Sequence, residues 1–149
     1  MYEMDPQRTN FNELVVNQSN LESLTQKILD SLFDNIHLFP ASLKKLCSEI
    51  NRIVNLQFAN AGRTAVSGFI FLRIICPTIA SPDQNLISQP ITCKNTHRGL
   101  VLVSKIVQNL GNFVMFGGKE FFMEPLNNFL VRNQQKFADY ISEISVIHD

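Results

Sequence analysis

The chain has 149 residues, 45% of them apolar, and its 13 basic and 13 acidic side chains give a formal net charge of zero. This length suits one domain with a substantial core, and the balanced charge argues against nucleic acid or anionic lipid as a partner, because both favour a large positive excess. Three cysteines, Cys47, Cys76 and Cys93, form no CxxC pair, which argues against a secreted disulfide framework.

The sequence shows neither a signal peptide nor a segment long enough to span a membrane. The first ten residues have no basic and no apolar segment of the kind found in a signal peptide. The longest apolar run, residues 69–76, is interrupted by Arg73 and is too short to cross a bilayer. We therefore expect an intracellular protein that does not insert into a membrane.

Two helices are predicted in the first third of the chain. Ser19 and Glu22 have the spacing of a capping box and predict the start of a helix. Pro40 occupies a favoured position for the start of the next helix. Each helix has an apolar stripe with helical spacing: Leu21, Leu24, Ile28 and Leu32 in the first, and Leu43, Leu46, Ile50 and Val54 in the second.

The segment at residues 63–76 is apolar on every side, so periodicity does not separate a buried helix from a buried strand. No other strand candidate exists to pair with it, and a lone strand leaves its backbone unsatisfied. We predict a fully buried helix that ends at Pro77. The following stretch, residues 77–94, contains Pro77, Pro82 and Pro90 and a turn signal at Ser81–Asp83, which indicates a long, ordered loop of a kind that is often functional.

The last third of the chain is also predicted to be helical. Thr96 is expected to cap a helix that runs to about Asn112, with Leu100, Val103, Val107 and Leu110 facing the core. A break at residues 117–118 precedes a short helix at residues 125–132 and a final helix at residues 134–147. The predicted fold class is all-α, with about six helices, no sheet, and one domain over residues 1–149.

Arg73 stands out because it lies within the most apolar segment. A guanidinium group left unpaired in such surroundings has a large desolvation cost. Two interpretations remain open. The side chain either reaches the surface or the carbonyls at the end of its helix, or it holds a loop or a partner.

A polar stripe on the helix before Asn112 is the second unusual feature. It consists of Arg98, Lys105, Gln108 and Asn112, which fall within an arc of about 80° and include no acid. Such stripes are usually solvated faces, but solvated faces usually mix acids with bases. A stripe without acids suits an acidic partner surface that can form hydrogen bonds.

The familiar catalytic and metal-binding patterns are absent. His37, His97 and His148 are far apart in sequence, and the pair Cys93 and His97 spans a junction of loop and helix, so no zinc site is expected. There is no GxSxG, Walker A or GxGxxG motif. Spacing alone does not exclude a Cys/His nucleophilic pair, although Cys47 and Cys76 are better placed as core residues. We predict no cofactor and no metal.

Four runs of residues, in order, resemble the Ras GTPase-activating domain family. The first is Tyr2-Glu3-x-Asp5-Pro6. The second, Phe71-Leu72-Arg73-Ile74-Ile75-Cys76-Pro77-Thr78-Ile79-Ala80-Ser81-Pro82, is similar to the family signature FLR-x-x-x-P-A-I-x-x-P, with Thr78 in place of the usual alanine. The third is Arg98-Gly99-Leu100 with Ser104-Lys105-Ile106-Val107-Gln108-Asn109-Leu110-Gly111-Asn112, where Gly111 replaces an alanine. The fourth is Met123-x-Pro125-x-Asn127-x-Phe129.

This resemblance covers essentially the whole chain and implies the C-terminal part of a helical domain that binds a Ras-family GTPase in its GTP form. By this resemblance Arg73 stabilises a catalytic finger loop, and Leu72, Arg98, Lys105, Gln108 and Asn112 bind the GTPase. Phe71, Pro77 and Pro82 would be structural residues of the motif. We expect a cytoplasmic location, with recruitment to a membrane through the partner.

The finger arginine of the family lies more than a hundred residues before the FLR motif, so we expect it to lie outside these 149 residues. Neither Arg8, Arg52 nor Arg63 has the finger-loop pattern. For Ras and its activating protein, the reference example of the effect, the finger contributes about 10³–10⁵ in rate. The chain would then contain no catalytic residue of its own. Without the rest of the domain it is expected to expose an apolar patch.

Three functional hypotheses follow. The first is a fragment of a Ras GTPase activator, which is a regulator and not itself a hydrolase. The second is a pseudo-activator or scaffold without a finger, which binds a Ras- or Rho-family GTPase and does not stimulate hydrolysis. The third is an unrelated helical enzyme, disfavoured by the lack of any converging acid, base or metal set.

Overall fold

The computed structural model describes residues 1–147, which form five helices and two short 3₁₀ segments. We label the helices α1 (Phe11–Asp34), α2 (Ala41–Gln57), α3 (Gly62–Ala80), α4 (Lys94–Asn112) and α5 (Asn127–Ile144). The 3₁₀ segments are Ile36–Leu38 and Gly118–Leu126. No strand occurs among the described residues, so the predicted all-α class is confirmed and the predicted number of about six helices is close.

Helix α1 begins eight residues before the predicted capping box, so the prediction of a start at Ser19 was wrong. The residue before the first turn is Asn10, and Glu13 stands three residues later, which is the same spacing that Ser19 and Glu22 have. The hydroxyl of Thr9 donates to a Glu13 carboxylate oxygen at 2.8 Å. Glu22 instead lies within the helix, where it accepts from Gln18 at 3.0 Å.

Helix α2 begins directly after Pro40, as predicted, but its apolar stripe is only partly inward. Cys47 is fully buried, whereas Leu46 is 45% exposed. Three other large apolar side chains at the end of this helix are exposed: Ile53, Leu56 and Phe58. Helix α2 thus presents a second apolar face to solvent.

Helix α3 corrects the prediction for residues 63–77 in two respects. It is not fully buried, because Arg73 and Ile74 are exposed on its outer side. It also does not end at Pro77 but continues to Ala80. Residues Gly68–Ile75 have the wider turn of a π-helix, in which the Cys76 amide donates to the Phe71 carbonyl five residues earlier. A π turn before a proline is compatible with a ring that clashes with the carbonyl at i−4 in a regular α-helix.

Helix α3 is also longer than the apolar run that the sequence suggested, which bears on whether this segment could span a membrane. Its 19 residues have a mean hydropathy of 1.4 and, by length and composition only, suffice to cross a membrane. Core helices of globular proteins reach the same length and hydropathy. The apolar run that we predicted to be too short is therefore part of a longer apolar helix, which here packs against α4.

Two predictions for the last third of the chain were also wrong. Thr96 lies inside α4, which begins at Lys94 after the capping position of Cys93. The separate helices predicted for residues 125–132 and 134–147 form the single helix α5. The predicted break at residues 117–118 is present, and Gly118 has a φ of +57°, which a glycine adopts without strain.

Helices α3 and α4 lie antiparallel at the centre of the fold. The Ser67 hydroxyl donates to the Gly111 carbonyl at 2.6 Å, and the Ser104 hydroxyl donates to the Cys76 carbonyl at 3.0 Å. A Cβ added to Gly111 would lie 3.3 Å from Cβ of Phe71, so the glycine permits a close approach. The ring of Phe71 is fully buried and meets Phe137 of α5 edge to face.

Candidate functional site

The predicted binding residues of α4 share one side of the helix, which we call the α4 face: Arg98, Lys105, Gln108 and Asn112. Ser104 and Gly111 point toward α3, and Gln108 lies about 50° around the helix from them. Lys105 lies about 60° further, on the side away from α3. The face is therefore bordered by α3 on one side and, through a contact of Lys105, by the segment Gly118–Leu126 on the other.

Arg98 is held by an acid from the N-terminus of the chain. Its guanidinium group donates to both carboxylate oxygens of Glu3, at 2.8 and 3.0 Å. Burial would raise the pKa of Glu3, but the hydrogen bond and charge of Arg98, together with backbone amides of Asp5 and Met4, outweigh it and lower the pKa. The same pair raises the pKa of Arg98. The structure therefore gives Arg98 an intramolecular role, and GTPase binding by Arg98 stays a prediction.

The neighbouring residue Gly99 strengthens this attachment. A Cβ at Gly99 would lie 2.7 Å from the ring of Tyr2, so only glycine allows the aromatic ring to lie directly on the helix. Asn17 of α1 donates to the Glu3 carbonyl at 2.9 Å. The segment Tyr2–Asp5 is thus fastened between α1 and the first half of α4.

Lys105 also has an acidic partner, Glu120 of the segment Gly118–Leu126. Both side chains are about one-third exposed, so the pair lies at the surface of the α4 face. The α4 face has no acid of its own. In the folded chain, however, Glu3 and Glu120 from other segments pair with Arg98 and Lys105, the two cations of the face. The prediction that this stripe suits an acidic partner surface stays a prediction, and its two cations already have acidic partners within the chain.

Gln108 and Asn112 differ from the two cations. Both are exposed, and neither side chain has a hydrogen bond within the part of the chain that the structure describes. Their amide groups are free to donate and accept. These two residues form the available part of the α4 face.

Leu72 lies on α3 level with this available part, and Arg73 follows it on the outer side of α3. The two hydrogen bonds between α3 and α4 place Leu72 level with residues 107–108 of α4. Leu72 is half-buried, and Arg73 is exposed with no ion pair or hydrogen bond among residues 1–147. Of the two interpretations of Arg73, the structure shows a side chain that reaches the surface; its predicted role in holding a finger loop stays a prediction.

The remaining motif residues shape the backbone beside the face. Phe71 is in the core, and Pro77 lies within α3. Pro82 opens the loop after α3, and its carbonyl accepts from the amides of Ile87 and Ser88. The Asp83 carboxylate accepts from the amides of Gln84 and Ile91 at 3.0 and 3.2 Å, and these bonds lower its pKa. This pattern agrees with the predicted ordered loop.

Histidine, cysteine and acidic side chains are the candidates for metal binding or nucleophilic chemistry within residues 1–147. No group of three or more His, Cys, Asp or Glu side chains could hold a metal there. Burial raises the pKa of Cys76 to about 12 and also raises that of Cys47, so neither is an activated nucleophile. Cys93 is exposed. Hydrogen bonds from the backbone and side chain of Thr96 lower its pKa. His148 lies outside the described residues.

Glu3 and Glu120 are the site residues that the sequence prediction missed. Between residues 50 and 119 the chain has seven cations and only one acid, Asp83. With a net charge of zero, the other twelve acids must lie in the flanking segments. That segregation is a signal that acids distant in sequence pair with the cations of α4, but it does not say which ones.

Comparison with known proteins gives a consistent result. The family model described as "GTPase-activator protein for Ras-like GTPase" matches residues 2–112. The chain is 32% identical over 144 residues to the human protein named Ras GTPase-activating protein nGAP, covering 96% of this chain and 13% of that protein. It is 36% identical over 141 residues to Neurofibromin-A of Dictyostelium discoideum, covering 89% and 15%. With Ras GTPase-activating protein 1 of Rattus norvegicus the identity is 35% over 150 residues, covering 95% and 14%. The chain thus spans about one-seventh of the length of these relatives.

Proposed function

This chain belongs to the family of GTPase-activator proteins for Ras-like GTPases, and on that basis we propose that it binds a Ras-family GTPase in its GTP form and, within a complete domain, promotes GTP hydrolysis. It acts in this proposal as a regulator of another protein's active site and not as a hydrolase. Its location would be cytoplasmic, with membrane recruitment through the GTPase.

One observation carries the proposal beyond the family relationship. Exposed polar groups with no hydrogen bond or ion pair among residues 1–147 occur on both central helices: Gln108 and Asn112 at the end of α4, and Arg73 on the outer side of α3. Unpaired amides and a guanidinium group beside half-buried Leu72 offer hydrogen bonds, a positive charge and an apolar contact. This combination suits an acidic surface that can form hydrogen bonds.

The proposal divides the predicted polar site residues into three groups. Arg73, Gln108 and Asn112 would contact the GTPase or the finger loop directly. Lys105 would contribute through the surface pair with Glu120. Arg98 would mainly hold the segment Tyr2–Asp5 in place, and its contribution to binding would be indirect.

Calorimetry of this chain with Ras tests the proposal. The GTPase is loaded with a non-hydrolysable GTP analogue or with GDP, and each form is titrated at low and moderate salt. We expect preference for the GTP form and weaker binding at higher salt. A chain that is folded by circular dichroism and binds neither form would contradict the proposal that these residues suffice for binding.

A second measurement separates activation from binding alone. Single-turnover GTP hydrolysis by Ras is followed with and without saturating chain. An increased rate supports the activator, and unchanged hydrolysis with bound chain supports the scaffold that does not stimulate hydrolysis. Turnover by the chain with no GTPase present would instead revive the unrelated enzyme.

A further inference from the structure

A group of exposed apolar side chains borders the C-terminal half of the α4 face. Three of them directly follow Asn112, and the fourth directly follows Glu120. They are Phe113, Val114, Met115 and Phe121. Phe121 is 61% exposed, and the other three are between 40% and 49% exposed. None belongs to the polar residues that the family motif assigns to binding.

The backbone fixes the first three of these residues next to the α4 face. Phe113 ends α4 in the left-handed conformation, with φ 56° and ψ 37°, which is costly for a residue with a Cβ. Its amide donates to the Leu110 carbonyl, and the Val114 amide donates to the Asn109 carbonyl at 3.0 Å. The Phe113 ring also meets Phe137 edge to face at 5.8 Å. These exposed residues therefore lie in an ordered turn.

The end of this turn and the segment with Phe121 are equally constrained. The side chain of Asn127 bonds both the amide and the carbonyl of Phe116, at 2.7 and 3.1 Å. Glu120 pairs with Lys105 and so brings its neighbour Phe121 beside the α4 face. The ring of Phe121 rests against Phe122, with centroids 6.3 Å apart.

The chemistry of this border complements that of the α4 face. The face offers mainly hydrogen bonds and charge, which give an interface specificity more than affinity. The energy of protein interfaces is concentrated in a few large side chains, with aromatic residues and methionine enriched in their buried part. An ordered apolar border with two phenylalanines and a methionine provides that part.

We propose that Phe113, Val114, Met115 and Phe121 form an apolar anchor for the same GTPase that contacts the α4 face. The inference rests on the proposed function and adds to it the chemistry of the partner surface: an apolar patch adjacent to acidic side chains. The occupant is the GTPase because the border is continuous with the α4 face through Asn112 and through the Lys105–Glu120 pair.

The test uses the 149-residue chain with the substitutions Phe121→Ser and Met115→Ser, titrated into Ras that carries a non-hydrolysable GTP analogue. Each substitution is expected to weaken binding about tenfold. Because the lost contact is apolar, the fold-change should be the same at low and moderate salt. Phe58→Ser is the matched control, since Phe58 is 65% exposed and follows α2, which packs chiefly against α3 and α5.

The outcomes are distinct. If the parent binds and the two variants bind as tightly as the parent, the apolar anchor is wrong while the proposed function stands. If Phe58→Ser weakens binding as much as Phe121→Ser, the effect is not specific to this border and the inference is also overturned. If the parent binds neither nucleotide form, both the inference and the proposed function fail. Circular dichroism of each variant confirms that the samples compared are folded.

Discussion

The two halves of α4 both carry polar side chains of the α4 face, an arginine in the first half and two amides in the second, and use them differently. In the first half, Arg98 is bound by Glu3 through two hydrogen bonds, and Gly99 lies under the ring of Tyr2. In the second half, Gln108 and Asn112 are exposed and have no side-chain hydrogen bond among the described residues. One half fastens the chain to itself, and the other is left available to a partner.

The difference shows that the polar residues of one helix face fall into two classes, according to whether they have a partner within the fold. A polar residue that already has a buried partner contributes to the stability of the fold, and its removal leaves that partner unpaired. A polar residue that is exposed and unpaired contributes little to stability. Stability and binding should therefore respond to substitutions in opposite order along α4.

The largest loss of stability is expected at Phe71, a buried residue of α3 that lies against α4 and so stabilises both halves of α4. Phe71→Ala removes a fully buried ring that contacts Phe137 and Tyr140 and that lies against Gly111. Truncation of a buried phenylalanine costs about 3–5 kcal/mol. Urea unfolding followed by circular dichroism measures this loss. A decrease below about 1 kcal/mol would mean that the contact between α3 and α4 does not hold the face together.

The next effect concerns the first half of α4 alone. Glu3→Gln removes the charge that pairs with Arg98 while keeping most of the shape, and hydrogen bonds to charged groups contribute about 1.5–3 kcal/mol. We expect the free energy of unfolding to fall by about 1–2 kcal/mol, since Arg98 is one-quarter exposed and solvent screens the pair. The control Glu124→Gln changes the same charge on an exposed residue and should leave stability unchanged.

The pH dependence of the same pair has a definite sign. The folded pKa of Glu3 is lowered, so the stabilisation is fully present above the ordinary carboxyl pKa of about 4.3 and is lost as the pH falls through the lowered value. The difference in unfolding free energy between the parent and Glu3→Gln should therefore close on acidification below about pH 4. A difference that stays constant as the pH falls well below about 4 would show that Arg98 does not stabilise the charged form of Glu3.

Lys105→Glu lies between the two halves and should affect both properties. The new carboxylate faces Glu120, and a surface like-charge pair costs only about 0.3–0.5 kcal/mol. Binding to GTP-loaded Ras should weaken about tenfold, with a smaller salt dependence. The charge-swapped double variant with Glu120→Lys restores the ion pair. If it also restores full binding, the pair acts as a unit and the position of the cation does not matter.

The all-α class and the main apolar stripes could be predicted from the sequence because they depend on local periodicity. The start of α1 could not be located, since Asn10 and Glu13 have the same spacing as Ser19 and Glu22, and local rules do not choose between the two pairs. The continuation of α3 beyond Pro77 depends on the π turn at Gly68–Ile75, which lets the helix pass a residue that normally ends one.

The site could be predicted only in part, because local periodicity identifies a helix face but not its tertiary contacts. The stripe on α4 follows from helical geometry, so its four members could be named from spacing alone. The pairing of Arg98 with Glu3 and of Lys105 with Glu120 crosses 95 and 15 residues of sequence, and such contacts depend on tertiary packing. The apolar border at Phe113–Met115 was missed because a phenylalanine in the left-handed conformation has no local sequence signal.

The smallest effect on stability is expected at Arg73, and it gives the sharpest contrast with Arg98. Arg73 is exposed and has no partner among residues 1–147, so Arg73→Gln should change the free energy of unfolding by less than about 0.5 kcal/mol. Arg98→Gln leaves Glu3 unpaired and half-buried, so it should lose about as much stability as Glu3→Gln. For binding to GTP-loaded Ras the order should reverse, because the guanidinium group of Arg73 is available to the partner. Equal stability losses for the two arginine variants, measured by urea unfolding, would show that Arg73 is held within the fold, and the separation of α4 and its neighbour into fastened and available parts would then fail.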